Sequence, residues 1–156
     1  MRLMIKQRVF AWTDTYDIYD EYGNEKYFVK TEMFNIGHHM HIYDGYDREV
    51  GVIHQKLFRL LPAFEVEIGG RIIGQIQKRM SLITPKYDIN YNGWQVRGDI
   101  FGWDYDVYNG NYVVVHISKE LLRWGDTYVI DIMNPVDEIT GLMLVLAIDA
   151  ANCDNN

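Results

Sequence analysis

Five histidines give this 156-residue chain its widest range of side-chain chemistry, and three stand together in His38-His39-Met40-His41, with His54 further on and His116 far along. Side chains alternate faces along a strand, so His39 and His41 share one. A chain reversal over residues 44–48 brings His54 opposite His39, and three imidazoles within reach of one another are a set that zinc or copper accepts. The competing reading is an ordinary strand face that carries histidines to solvent. It is favoured because no cysteine accompanies the group and the register is only inferred. No metal and no cofactor is assigned.

Nucleophilic catalysis requires Ser, Thr or Cys beside a base that a third group orients. His116-Ile117-Ser118 places a base and a hydroxyl on one strand face, but any alternating strand produces such pairs. Asp17 with Tyr19, and Asp104 with Asp106, are likewise outward positions of amphipathic strands, where solvated carboxylates are the rule. The chain therefore reads as non-enzymatic, with catalytic residues assigned to none.

The elements that would position these groups repeat. Tyr16-Asp17-Ile18-Tyr19-Asp20, Met40-His41-Ile42-Tyr43-Asp44, Phe64-Glu65-Val66-Glu67-Ile68, Tyr87-Asp88-Ile89-Asn90-Tyr91, Tyr105-Asp106-Val107-Tyr108 and Tyr128-Val129-Ile130-Asp131-Ile132 begin 24, 24, 23, 18 and 23 residues apart. Each puts apolar side chains at its first and third positions, the period of a strand with one buried face. Five are followed by turn residues, among them Gly69-Gly70, Asn92-Gly93 and Asn109-Gly110-Asn111, and then by a second apolar strand. Short strands at regular spacing, with no helix between them, predict a mostly β fold: a closed antiparallel barrel of about twelve strands in six hairpin repeats, one domain over residues 1–156.

Residues 135–151 break the pattern. Asn134 suits a helix cap, Pro135 the first helical position, and Asp137 and Glu138 the positive end of the helix dipole. From Ile139 to Ala150 apolar residues recur on every face, so the helix must be surrounded by protein and is predicted to run through the barrel. Gly51-Val52-Ile53, Gly74-Gln75-Ile76 and Gly98-Asp99-Ile100 recur in successive hairpins. Their glycines mark either close approach of the wall to the helix or a bend or bulge of the barrel.

Hairpins are joined by connectors over residues 30–37, 56–62, 78–85 and 119–125, each beginning with Lys and ending at Gly or Pro. If hairpins alternate up and down, the connectors gather at one rim, bringing Lys30, Lys56, Arg59, Lys78, Arg79, Lys119 and Arg123 together with Leu57, Phe58, Met80 and Leu82. The opposite rim receives Asp20, Glu21, Glu25, Asp44, Asp47 and Glu49. Lys56, Arg59, Lys78 and Arg79 are the expected binding residues, their partner an anionic phospholipid or an acidic protein surface. The bland reading is solvated edge protection.

Total charge is −7 and uneven: residues 1–79 hold 11 basic and 11 acidic side chains, residues 80–156 hold 4 and 11. Without a basic face, nucleic acid is not an expected partner. The apolar run over residues 142–148 is far short of the roughly 20 residues of a membrane helix. Three apolar residues before Lys6 do not make a secretory segment, and one cysteine, Cys153, allows no internal disulfide, so a cytoplasmic location is expected.

In order along the chain, Lys6-Gln7-Arg8-Val9-Phe10, Tyr27-Phe28-Val29-Lys30, Lys56-Leu57-Phe58-Arg59-Leu60, Pro85-Lys86-Tyr87-Asp88-Ile89 and Ala147-Ile148-Asp149 resemble the bacterial members of the LURP-one-related family. That resemblance implies a twelve-stranded barrel around a hydrophobic helix, a fold similar to the C-terminal domain of tubby proteins and to phospholipid scramblases. It supplies no catalytic motif. Tubby domains bind phosphoinositides, but their basic ligand residues do not align onto particular positions of this chain. The expected function is thus a binding or scaffolding module acting through the connector rim, with a small-molecule binder or enzyme using a cleft between barrel and rim as the alternative.

Overall fold

The computed structural model describes residues 1–6, 15–34, 37–122 and 125–153. Twelve strands run in chain order: β1 (Arg2–Ile5), β2 (Thr15–Asp20), β3 (Glu25–Phe34), β4 (Gly37–Asp44), β5 (Glu49–Gln55), β6 (Ala63–Ile68), β7 (Arg71–Arg79), β8 (Lys86–Ile89), β9 (Trp94–Asp99), β10 (Asp104–Asn109), β11 (Tyr112–Leu122) and β12 (Gly125–Ile132). One turn of 3-10 helix, Pro135–Asp137, leads into α1 (Glu138–Cys153). Neighbours in sequence pair antiparallel except β8 and β9, and β1 joins β12 with Leu3 opposite Ile130. The expected twelve-stranded antiparallel barrel is present, nearly rather than fully closed, with eleven of its strands visible in the repeats and β1 as the twelfth.

Period-two burial builds the wall. Ile18, Val29, Ile42, Ile53, Val66, Ile76, Val107, Ile117 and Ile130 point inward from successive strands and are fully buried. They meet α1, whose residues 141–151 are buried all round, including Leu142, Leu144 and Ile148. A fully buried side chain of this size contributes about 1.5–3 kcal/mol, so the helix is the other half of the core. Its entry follows the expected chemistry: the Asn134 side chain accepts from the Val136 N–H at 3.2 Å, and Glu138 receives the Tyr27 hydroxyl at 2.9 Å and Lys26 at 2.6 Å.

The connectors depart from expectation. The segments 30–37 and 119–125 belong largely to strands, because β3 and β11 are long, so Lys30 and Lys119 sit on the wall; Lys30 is bound to Glu32 at 2.5 Å. Arg123 lies outside the described residues, as do Gln7 to Phe10 of the N-terminal motif. Ile72 and Ile73, at the start of β7, are exposed beside a register shift that opposes Val66 to Gly74 but Glu67 to Ile72.

The three recurrent glycines prove unlike one another. A Cβ on Gly51 would stand 2.6 Å from Met143 Sδ, so there the wall does approach the helix. On Gly74 it would strike the Tyr91 ring, and Gly98, at φ +127°, would strike the β10 backbone, so that position is a bend. Tyr91 also explains the one junction without a ladder, between β8 and β9. The ring lies buried on Gly74, Asn90 Oδ1 accepts from the Gln75 N–H at 2.6 Å, and the Asn90 N–H donates to the Gln75 carbonyl at 3.2 Å. The turn after β8 is thereby pinned to β7, and β8 does not pair with β9.

Candidate functional site

Since sequential strands other than β8 and β9 pair antiparallel, and a tight turn reverses the chain between those two, tight turns and connectors fall at opposite ends of the barrel. At the connector end, the links after β5, β7 and β9 expose large apolar side chains. Phe58 and Leu82 are fully exposed, Leu60 and Ile83 nearly so, and Met80 and Phe101 mostly. Leu61, Met80, Leu82, Ile83 and Phe101 face one depression of about 360 Å³, so the links after β7 and β9 are adjacent in space. Phe58 holds a left-handed backbone at φ 58°, which costs a non-glycine residue about 1–2 kcal/mol and here accompanies a ring carried into solvent.

All four expected binding residues lie at this end, in different states. Lys56 contacts the Glu65 carboxylate, and its N–H donates to the Ala63 carbonyl at 2.8 Å. Arg79 reaches Asp88 at 3.3 Å, with both side chains exposed. Lys78 is turned toward the helix, donating to the Ala151 carbonyl at 3.3 Å, in the last turn of α1, where the helix dipole favours a cation. Arg59 is exposed and has no ion-pair partner among the described residues. Residue type alone could not sort these cations, because Lys56 and Arg79 find carboxylates across a strand register and Lys78 finds a helix end 73 residues away.

Beneath the rim, polar groups lie inside the barrel: tyrosines at the first, inward positions of three repeats meet polar residues of α1. Asp149 is buried, and its charge together with burial pushes the phenol pKa of Tyr16 and of Tyr105 well up, burial being the larger cause in both. Tyr87 donates to Asn152 Oδ1 at 2.5 Å. The sequence placed Tyr16, Tyr87 and Tyr105 on inward strand positions and one acidic residue in the apolar helix, but not their meeting.

The histidine patch lies on the outer wall. His39 is opposite both Glu32 and His54, and His54 is opposite Glu65, so the inferred register is the observed one. The His39 and His54 rings meet edge to face with centroids 4.7 Å apart. His41 Nδ1 bonds Glu49 at 2.7 Å and His54 Nε2 bonds Glu67 at 2.6 Å. Burial first, then the charges of His54 and His41, lower the His39 pKa. Among the described residues, no three His, Cys, Asp or Glu side chains are arranged to hold a metal ion. Elsewhere His116 Nδ1 bonds Asp106 at 2.7 Å, while Ser118 makes no hydrogen bond to that imidazole.

Comparison with known proteins agrees with this architecture. A family profile described as LURP-one-related matches residues 1–149. The chain is similar to the Bacillus subtilis (strain 168) protein YxjI, described as uncharacterized, at 29% identity over 149 residues, covering 96% of this chain and 92% of that one. Its fold is similar to an X-ray structure of a protein from Arabidopsis thaliana, with a TM-score of 0.63 and 17% identity, covering 95% of this chain and 89% of the other. At that identity the likeness is one of fold. Among the described residues no helix is long and apolar enough to cross a membrane.

Proposed function

From the premise that this chain belongs to the LURP-one-related family, we propose that it is a non-enzymatic binding module whose connector end docks on an anionic phospholipid surface. The observation that carries this reading is the exposure of Phe58, Leu60, Met80, Leu82, Ile83 and Phe101 at the tips of three links on one end of the barrel. Contiguous apolar exposure of this kind marks interaction surfaces. An acidic protein surface would satisfy Arg59 and Arg79 but would leave the outward-projecting apolar tips without a use. A bilayer interface accepts both.

Magnitudes decide which group dominates. Each apolar side chain moved fully out of water contributes about 1.5–3 kcal/mol, whereas a cation near an anionic leaflet contributes about 1 kcal/mol. With a net charge of −7 the protein as a whole is repelled by such a surface, so insertion of the tips must supply most of the affinity. Sedimentation with phosphatidylglycerol-containing vesicles tests the reading. The wild type should co-sediment at low salt and less with phosphatidylcholine alone, and the Phe58→Ser, Leu82→Ser, Ile83→Ser variant should stay in the supernatant. A wild type that does not sediment, or a variant that sediments equally, refutes it.

One observation favours a second reading, a small apolar ligand: the depression between Leu61, Met80, Ile83 and Phe101. A metabolite that raises the melting temperature while vesicles leave the protein in solution would establish that reading instead.

A further inference from the structure

The junction between β8 and β9 is the one place where two strand edges stand side by side without a ladder among the described residues. Main-chain alternation shows which groups of β8 face it. The Asn90 N–H donates to the Gln75 carbonyl, and Asp88 and Lys86 follow in the same phase opposite Gln77 and Arg79. In an antiparallel pair the intervening residues turn their N–H and C=O away from the partner. Those residues are Tyr87 and Ile89, in agreement with the Lys78 N–H, which bonds Pro62 on the other side of β7. Beside this edge runs a groove of about 500 Å³ between the two strands, within the roughly 300–1,000 Å³ typical of ligand clefts.

We propose that this seam is a strand-addition site for an extended peptide segment in which apolar and acidic residues alternate. The alternation follows from the two faces. Toward the barrel interior the seam is flanked by Tyr87, Ile89, Trp94 and Val96, which are buried or half-buried; on the outside it is flanked by exposed Lys86 and Arg97. Neither cation has a carboxylate partner among the described residues. Asp106 is registered opposite Arg97 but is bound to His116 at 2.7 Å, and Arg97 instead lies over the Tyr108 ring and bonds Gln95 at 2.9 Å. Asp88 is engaged by Arg79 at 3.3 Å. A segment bonding to the free edge sends alternate side chains inward and outward, so its inward residues must be apolar and its outward ones acidic. The seam and the lipid reading of the rim stand independently.

Amide hydrogen exchange on the full chain, together with fluorescence polarisation of a labelled short peptide alternating isoleucine and glutamate, tests the proposal. In the free protein the Tyr87 and Ile89 amides should exchange rapidly, and saturating peptide should slow them by about tenfold or more. Replacing every glutamate by lysine, or N-methylating alternate peptide amides, should abolish binding. The Lys86→Glu, Arg97→Glu variant should fold as the wild type does and lose the peptide. If Tyr87 and Ile89 are already as protected as the β6–β7 ladder in the free protein, the seam is closed and the proposal fails. It fails equally if the N-methylated or lysine peptide binds as well as the original, or if the charge reversals leave binding unchanged.

Discussion

The two ends of the barrel are built from the same alternating strands, yet they expose different chemistry. At the turn end Asp20 accepts from the Tyr22 and Asn24 N–H groups at 2.9 and 2.8 Å, and Asp44 from those of Tyr46 and Arg48 at 2.9 and 3.1 Å. Hydrogen bonds from Asn24 and from the Arg48 side chain lead the causes that hold these two carboxyls below their usual pKa. The exposed rings there are Tyr22, Tyr46 and Tyr112, whose hydroxyls water can satisfy, although Ile72, Met133 and Val136 are exposed as well. At the connector end the exposed rings are phenylalanines, accompanied by leucine, isoleucine and methionine. Turn geometry selects the residues of the first end. The links at the other end carry apolar residues instead, and the proposed lipid docking is the reading that gives these a use.

Removing what both ends share has the largest expected effect. Leu144→Asp places an unpaired carboxylate in a fully buried position, at a cost of several kcal/mol against a total stability of about 5–15 kcal/mol. No cooperatively folding protein should be recovered by circular dichroism, and a chain ending at Asn134 should behave the same way. A folded truncated protein would separate the helix from the core.

Next comes the contrast between ends. Phe58→Ser, Leu82→Ser and Ile83→Ser together should lower vesicle affinity by about a hundredfold or more, since even partial burial of three such side chains contributes several kcal/mol. Tyr22→Ser with Tyr46→Ser should leave affinity unchanged. Equal losses from the two sets, measured by sedimentation, would erase the distinction.

Smaller effects sort the rim cations. Lys78→Ala removes a contact to the helix C-terminus, and about 0.3–1 kcal/mol of stability should go with it, seen as a lower midpoint in urea. Arg59→Glu should leave that midpoint alone and weaken lipid binding about tenfold, in a salt-dependent manner. The opposite assignment would show that Lys78 faces the partner.

The wall supplies the smallest effect. His39 has a lowered pKa when folded, so the unfolded chain binds its proton more readily. Stability should fall as pH drops through the ordinary histidine range and level off below the folded pKa, with no contribution above that range. Urea midpoints of His39→Asn should lack this component of the wild-type pH dependence.

These contrasts also show what the sequence carries. Ile18, Ile42 and Val66 betray their strands because burial alternates with the pleat, and the pairing of His39 with His54 follows from counting across a short turn. Leu142, Leu144 and Ile148 betray the enclosed helix because no face of it is polar. The length of β3 was hidden, since Lys30 and Glu32 pair on the wall much as loop residues do in solvent. The fates of Gly51, Gly74 and Gly98 depend on Met143, Tyr91 and Tyr105, which lie on other elements. The open seam was illegible for the same reason: Asn92-Gly93 reads as a tight hairpin, and only the packing of Tyr91 on Gly74 draws the turn toward β7. At the rim, Phe58 and Leu82 were legible as neighbours of cations, whereas the engagement of Lys56 with Glu65 and of Lys78 with Ala151 was not.

The central claim is that one end of the barrel meets lipid and the other does not. In a Cys153→Ser background, Ile83→Cys at the connector end and Tyr46→Cys at the turn end can each carry an environment-sensitive fluorophore. On adding phosphatidylglycerol-containing vesicles, the label at position 83 should brighten and shift to the blue while the label at position 46 stays as in buffer. A response at position 46, or none at position 83, would contradict the account.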